Sequence, residues 1–264
     1  MGRRYLASAD PLGFARLRFW SVAALLFICT AVVAVVLCNR MAEMGEMQMP
    51  GGWSMSMMWM RMPGQSWPGA AASFMAMWTP MMIAMMLPTL GIEVWRYRIG
   101  LQTDRSAEMQ MFAIAAGYFA IWTASGLAVF ALGNVIATMQ MQFASIAQVI
   151  PLVAGMVVLL AGVLQFTTWK LHRLDCCHRS LRILPPGDVK RAWREGLALG
   201  LRCFYCCLPQ TAILVALGMM DVRLMIFMTV AITLERSRLG RRAACVVGAV
   251  CASAGVWLIL RAAL

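Results

Sequence analysis

Three cysteines lie within five residues of this chain, at the start of an apolar stretch: Cys203, Cys206 and Cys207. Residues three and four apart share one face of an α-helix, so a helix here would direct up to three sulfurs toward one point. Thiolate sulfur is a soft ligand that selects Cu(I), zinc and iron–sulfur clusters. The spacing therefore predicts a soft-metal site. The alternative is that small polarisable side chains, with Gly196 and Gly200 just before them, only let helices approach closely.

Methionine, the other soft sulfur ligand, is concentrated in one part of the chain. Fifteen of the 25 methionines lie between residues 41 and 86, first in a polar stretch and then in an apolar one. Residues 39–69 indicate either a surface that captures Cu(I) or a helix lying in the membrane interface, with Trp53, Trp59 and Trp67 at headgroup level. The candidate capture residues are Met41, Met44, Met47, Met49, Met55, Met57 and Met58.

The methionines of the following apolar stretch fall on two faces of a helix. Met75, Met82 and Met86 share one face, and Met77, Met81 and Met85 share another. Such stripes are typical both of core packing and of a row of soft ligands. Two prolines, at positions 80 and 88, remove backbone hydrogen bonds and are expected to kink this helix.

Composition predicts that the protein spans a membrane. Hydrophobic residues make up 62% of the 264 residues, against roughly 45–50% in soluble domains. About 20 apolar residues cross a hydrocarbon core of about 30 Å, and long apolar runs without alternation favour helices over a barrel. We therefore predict an all-α, polytopic transmembrane helix bundle with about seven spans, the sixth short and either tilted, buried or misplaced. The predicted spans are residues 19–38, 70–92, 110–132, 146–168, 197–218, 222–234 and 243–260.

The net charge of +12 is distributed unevenly between the two sides of the predicted bundle. Nineteen of the 23 lysines and arginines fall on one side, and the positive-inside rule places that side and the N-terminus in the cytoplasm of an inner (plasma) membrane protein. The domain prediction is a cytoplasmic segment 1–18 and one transmembrane domain 19–264. That domain includes a periplasmic methionine-rich loop or hairpin 39–69 and a basic cytoplasmic loop 169–195. The basic side is expected to contact anionic lipid headgroups of the bilayer, and nucleic-acid binding is not expected.

The nine cysteines do not suggest a disulfide framework. Four are single and read as packing residues, whereas Cys176 and Cys177 join the triad on the predicted cytoplasmic side, where thiols stay reduced. Clustered reduced thiols favour metal ligation over crosslinking. Among polar residues near the helix ends, Lys170 and Glu235 either pair beside the triad or reach the interface separately. Gln165 is a candidate to orient a metal-binding side chain by hydrogen bonding to it.

Three blocks of the sequence resemble a family of predicted metal-binding integral membrane proteins, catalogued as domain of unknown function 2182. The resemblance covers roughly residues 70–240. It departs at Arg173, where the family usually has cysteine, and at Leu208, where it usually has tryptophan. The resemblance implies that the metal ligands include Met81, Met85, Met86, Cys177, Met220, Met225 and Glu235 besides the cysteine triad. The matching blocks run from Trp78 to Thr89, from Gly162 through Gln165 and Lys170 to Cys177, and from Gly196 through Met220 and Met225 to Glu235.

No catalytic motif is present, neither a P-loop nor G-x-S-x-G nor a nucleotide-binding fingerprint. The expected function is binding of a soft metal, first of all Cu(I) and alternatively zinc or iron, for uptake, delivery or insertion into a membrane or periplasmic partner protein. The step from thioether to thiolate ligands would favour inward movement. One alternative is a membrane metalloenzyme or redox subunit, and another is a structural subunit around a second metalloprotein.

Overall fold

The computed structural model describes residues 11–43, 46–49, 53–56, 59, 64–100, 105–177, 181, 184–185, 187–237 and 239–263. These ranges form helices with one two-stranded hairpin, and the predicted all-α fold class is confirmed. The helices are α1 (Pro11–Glu43), α2 (Trp67–Ile99), α3 (Arg105–Gln142), α4 (Ala144–Leu164), α5 (Thr168–Cys177), α6 (Val189–Leu217), α7 (Val222–Glu235) and α8 (Gly240–Ala263), and the strands are β1 (Glu46–Met49) and β2 (Trp53–Ser56).

Six helices of the described ranges are long and apolar enough to cross a membrane, namely α1, α2, α3, α4, α6 and α8. The predicted sixth span, 222–234, corresponds to α7, which has only 14 residues. At 1.5 Å per residue α7 is about 21 Å long, shorter than a hydrocarbon core of about 30 Å. The sixth predicted span is therefore a short helix, as its sequence indicated.

The first three helices alternate in direction. Phe19, near the start of α1, packs against Trp95 near the end of α2. Trp78, early in α2, donates from Nε1 to the Trp122 carbonyl in α3 at 2.8 Å. Tyr97, late in α2, bonds Gln110 at the beginning of α3. Helices α1 and α3 therefore run one way and α2 runs back between them.

The direction of α7 follows from its neighbours. Ala137, late in α3, clusters with Ala147 early in α4, and the residue after α4, Gln165, reaches the interior beside α7, so α4 runs back along α3. Helix α8 is antiparallel to α4, since Gly162 adjoins Ala252 and Gly155 adjoins Ile259. Helix α6 is parallel to α3, as the glycine contacts described below show. Because α6 and α8 run the same way, α7 has to return the chain between them.

Local sequence explains where α7 begins. Helix α6 ends at Gly218, whose φ of +117° is a conformation that side chains other than glycine's rarely adopt. Asp221 then caps α7, because its Oδ1 accepts from the backbone N–H groups of Arg223 at 2.8 Å and Leu224 at 3.3 Å. The chain leaves α7 at Glu235, which is buried in the interior. The last residues of this short helix therefore lie inside the bundle.

Two helix boundaries differ from the bounds of the predicted spans. The predicted fourth span, 146–168, ends as a helix at Leu164, and a new helix, α5, begins at Thr168. The segment predicted as a basic loop, 169–195, contains nearly all of α5 and the first turns of α6. Helix α6 begins at Val189 because Asp188 caps it, accepting from the Arg191 backbone N–H at 3.0 Å.

Part of the methionine-rich segment is a β-hairpin. Strands β1 and β2 pair antiparallel, with Met47 opposite Met55 and Met49 opposite Trp53. The sequence allowed a loop or hairpin here, but the interfacial-helix alternative is wrong for residues 46–49 and 53–56. Trp53 fastens the hairpin to the bundle, since its Nε1 donates to the Ala147 carbonyl at 2.9 Å.

Candidate metal centre

The cysteine triad lies on α6 where this helix meets α3 most closely. A Cβ at Gly200 would lie only 2.8 Å from the Tyr118 carbonyl, and one at Gly196 would collide with the backbone of Ile114. Glycine at these positions lets the two helices approach. Consequently Tyr118 reaches across to α6, and its hydroxyl lies 3.0 Å from Cys203 Sγ.

Four buried thiols form a chain of contacts in this region. Cys203 Sγ is 3.8 Å from Cys207 Sγ, as expected for positions four apart on a helix. Cys206 packs with Cys177 of α5 in one buried cluster and interacts electrostatically with Cys207, and the Cys177 thiol donates to the Arg202 carbonyl at 3.2 Å. All four cysteines are at most 2% exposed. The structure therefore brings Cys177 to the triad, and all nine cysteines of the chain are free thiols.

The thiols are paired side by side and do not surround a common point. Among the described residues, no three His, Cys, Asp or Glu side chains are already arranged to hold a metal ion. Two sulfurs bound to one ion at about 2.3 Å, the zinc–sulfur length, lie about 3.8 Å apart in tetrahedral geometry. The spacing of Cys203 and Cys207 fits such a pair, and a third ligand requires a small rearrangement.

A guanidinium lies beside the same sulfur that Tyr118 contacts. Arg236 directly follows α7, and its Nη1 is 2.9 Å from Cys203 Sγ. Because α7 ends inside the bundle, Arg236, which follows it, places its positive charge beside the thiols. The Cys203 sulfur therefore has two strong hydrogen-bond donors, a hydroxyl and a cation, which stabilise the thiolate form.

Lys170 and Glu235 form a buried ion pair next to the thiols. Lys170 Nζ is 2.8 Å from Glu235 Oε2, with exposed fractions of 0% and 2%. The structure thus has the pair, and the alternative that each residue reaches the interface separately is wrong. Lys170 Nζ also donates to the Cys206 carbonyl at 2.7 Å, so the ion pair is fastened to the backbone of the cysteine triad.

Two glutamines complete this network. Gln165 Nε2 donates to Glu235 Oε1 at 3.1 Å, and Gln210 Nε2 donates to Glu235 Oε2 at 2.7 Å. Both carboxylate oxygens of Glu235 are therefore already bound by the protein. In this arrangement Glu235 serves as the counter-ion of Lys170, while Gln165 Oε1 is buried without a hydrogen-bond partner.

Lys170 is held in its charged form. Burial lowers the pKa of its amine, but the neighbouring Cys206 thiolate and the Glu235 carboxylate raise it, and the net shift is upward. The pKa of the Cys177 thiol is raised by its hydrogen bond to Cys206 and by burial. The cluster therefore combines a positively charged Lys170 with a Cys177 thiol, at the end of the row of thiols, that keeps its proton.

The candidate methionines lie in the same buried core as Cys203 and Cys207. Met81, Met85, Met86 and Met225 are at most 7% exposed, and all four belong to that cluster. Met220 is partly buried against it. Helix α2 contributes both methionine faces to the interior and runs through Pro80 and Pro88 as one helix. The core is thus rich in thioether sulfur, which is compatible with packing as well as with metal binding.

The candidate capture residues are only partly described. Met41 lies at the end of α1, Met47 and Met49 are in β1, and Met55 is in β2. Met44, Met57 and Met58 lie outside the described residues. The register places Met47 opposite Met55, so at least these two positions are cross-strand neighbours.

Three residues of this centre are not among the site residues predicted from the sequence: Tyr118, Gln210 and Arg236. Gln210 carried a usable signal, because it is a polar residue within an apolar span, as Gln165 is. Arg236 is the basic residue that follows Glu235 in the block that resembles the metal-binding family, so it also carried a signal. For Tyr118 the sequence holds no signal, because its position depends on the approach of α3 to α6.

The comparisons with known proteins agree with this chemistry. A model of the PpoB2 family, described as a copper chaperone, matches residues 75–258, a range that contains the four clustered thiols, Lys170 and Glu235. No match to the chain exists among curated proteins or among solved structures. The resemblance implied a metal-binding family, and the family match specifies copper. Since the match spans more than half of the residues, the chain belongs to the PpoB2 copper chaperone family.

Proposed function

We propose that this protein is an inner-membrane copper chaperone that binds Cu(I) at its buried thiols and passes it to a partner protein. The observation that carries the proposal is the Cys203–Cys207 pair at 3.8 Å, buried in one cluster with the methionines of α2 and α7. Thiolate and thioether sulfur select Cu(I), and the family is a copper chaperone family.

The charges around the thiols favour a monovalent ion. Lys170 and Arg236 supply two positive charges and Glu235 one negative charge, which leaves one positive charge beside the sulfurs. Two thiolates that share one Cu(I) carry one negative charge and would balance it. Four thiolates around Zn²⁺ carry two negative charges and would leave a net charge buried, which is costly. Copper is therefore favoured over zinc.

The two kinds of sulfur suggest a route for the ion. Weakly basic thioethers lie along α2 and α7, and more basic thiolates lie on α6 within the same core. An ion that exchanges one soft ligand for the next along such a series moves toward the thiolates. With the N-terminus in the cytoplasm, this direction corresponds to uptake from the methionine hairpin and delivery at the cytoplasmic side.

The copper content of the purified protein tests this proposal. The protein is isolated from cells without added metal, and metals are counted by mass spectrometry. The variant Cys203→Ser/Cys206→Ser/Cys207→Ser removes the triad, and Cys29→Ser/Cys245→Ser is the matched control, because both of these thiols are exposed. We expect about one copper ion per chain in the wild type and in the control, and a loss of at least tenfold in the triad variant.

Two results would contradict the proposal. One is a wild-type protein without copper that also binds none when Cu(I) is added. The other is a triad variant that retains as much copper as the wild type, because the buried thiols would then not be the site. Zinc at one ion per chain in place of copper would show that the charge argument is wrong.

A further inference from the structure

Helix α5 has a histidine and a cysteine, two residue types that bind copper, on its outer face. His172 and Cys176 are four residues apart, so they lie one above the other on the helix. The His172 Nε2 atom is 3.7 Å from Cys176 Sγ. His172 is exposed and Cys176 half-buried, whereas Lys170, Leu174 and Cys177 of the same helix are buried.

The distance between the two atoms suits a shared metal ion. With metal–sulfur and metal–nitrogen bonds of about 2.3 and 2.0 Å, as for zinc, two ligands of one ion lie about 3.5 Å apart in tetrahedral geometry and about 4.3 Å apart in linear geometry. The observed 3.7 Å lies between these values. Thiolate and imidazole are both ligands that copper accepts.

The outer pair adjoins the buried thiols. Cys177 follows Cys176 directly in the chain and packs with Cys206 of the triad in one buried cluster. Arg173 lies 5.1 Å from the ring of Tyr205 on α6, so α5 is also fastened to α6 on its outer side. The position of the pair relative to the triad is therefore fixed by packing.

Water reaches this face of α5. Asp175, between the two ligands in sequence, is exposed, and α5 is not one of the long apolar helices that could cross a membrane. A metal ion bound here is accessible to the thiols of another protein, whereas one between Cys203 and Cys207 is not.

We propose that His172 and Cys176 form a two-ligand Cu(I) site from which an acceptor protein takes the ion. The inference rests on the proposed function and adds the place of transfer. A thiol of the acceptor loses its proton as its sulfur binds Cu(I), the bond from copper to Cys176 breaks, and the released Cys176 thiolate takes up a proton. Copper stays monovalent throughout, and no electron is transferred.

Anaerobic titration with Cu(I) against a chromogenic Cu(I) chelator measures this site directly. The background is the triad serine variant, so the buried site is absent. Because two exposed ligands hold an ion less firmly than buried thiols, the site is loaded by added Cu(I) and is not retained during purification. We expect one Cu(I) per chain with one sulfur and one nitrogen ligand in X-ray absorption. Binding weakens at least tenfold with Cys176→Ser or His172→Asn, and is unchanged with Cys29→Ser as the exposed-thiol control.

The outcomes separate this inference from the proposed function. If the wild type holds copper but the triad variant binds no added Cu(I), or binds it regardless of Cys176 and His172, the inference is overturned and the buried site stands. If the wild type binds no Cu(I), the proposed function fails and this inference with it. Should the triad variant not fold, Cys176→Ser in the otherwise unchanged chain must lower the Cu(I) stoichiometry by one, and an unchanged stoichiometry overturns the inference.

Discussion

Two cations, the buried Lys170 and the half-buried Arg236, lie beside the thiols of the candidate centre. Arg236 contacts Cys203, and Lys170 contacts the Cys206 carbonyl. Taking a charge out of water costs several kcal/mol unless it is paired, so the protein needs Glu235 to hold Lys170 in place. The carboxylate therefore contributes to the centre through Lys170 and not through a free oxygen of its own.

Removing the carboxylate of Glu235 should destabilise the folded protein. The change Glu235→Gln leaves the Lys170 ammonium buried without a counter-ion, which typically costs about 3–5 kcal/mol. The combined change Glu235→Gln/Lys170→Met removes both charges and should recover part of that loss. Both effects are measurable as shifts of the thermal unfolding midpoint in detergent.

The matched control for this experiment is Glu93→Gln. Glu93 is also a buried carboxylate, but its partner Arg96, at 3.2 Å, is 54% exposed. Such a pair contributes less, about 1 kcal/mol or below, because water solvates Arg96 when the carboxylate is removed. Equal losses for the two glutamine variants would show that the Lys170–Glu235 pair has no special weight.

Among the helices, length and composition decide which side chains come together. Since α7 ends at Glu235 inside the bundle, a helix too short to cross the hydrocarbon core is what brings Glu235 and Arg236 to the thiols. Helix α2 has the complementary property, because it is long, continuous and buried along both methionine faces. One helix thus supplies charge to the centre and the other supplies thioether sulfur along the core.

The methionines of α2 can be tested without disturbing the packing. Leucine has nearly the same volume as methionine, so each such change usually costs less than about 1.5 kcal/mol, but leucine has no sulfur. In Met81→Leu/Met85→Leu/Met86→Leu we expect the protein to fold and its thiols to bind added Cu(I). Its copper content as isolated from cells should fall severalfold, because the ion no longer reaches the thiols through soft ligands.

The control for the leucine variant is Met109→Leu/Met139→Leu/Met141→Leu, in which the replaced methionines are between 48% and 61% exposed. This variant should retain wild-type copper. If both leucine variants keep their copper, the methionines of α2 are packing residues, and the ion reaches the thiols by another path.

For the molecule as a whole, the directions of the helices determine the topology. Because α6 and α8 run the same way and α7 returns between them, the two ends of the described chain lie at opposite ends of the bundle. The charge distribution predicts that the N-terminus is cytoplasmic. The hairpin then lies on the outer side, and the centre near α5 lies toward the cytoplasm.

Reporter proteins fused to either terminus test this arrangement. A fluorescent protein that matures only in the cytoplasm should be fluorescent at the N-terminus and dark at the C-terminus. A phosphatase that is active only outside the cytoplasm should give the opposite pattern. Fluorescence at both termini would mean that α7 does not return the chain across the membrane, and fluorescence at the C-terminus alone would reverse the proposed direction of copper movement.

The helical class, the apolar segments, and the cysteines and methionines that are candidate metal ligands could all be predicted from the sequence. Apolar runs of membrane length and three cysteines at helical spacing are local properties, readable wherever the chain folds. The tertiary structure was needed to show that α7 ends inside the bundle, that α5 is a helix with one face on the triad, and that the thiols are paired in a row. It also placed Tyr118 and Arg236 beside Cys203 and bound Glu235 to Lys170. These contacts join residues 33, 65 and 85 positions apart, and the Tyr118 contact depends on how closely Gly196 and Gly200 let α3 and α6 approach. No local pattern encodes such distances.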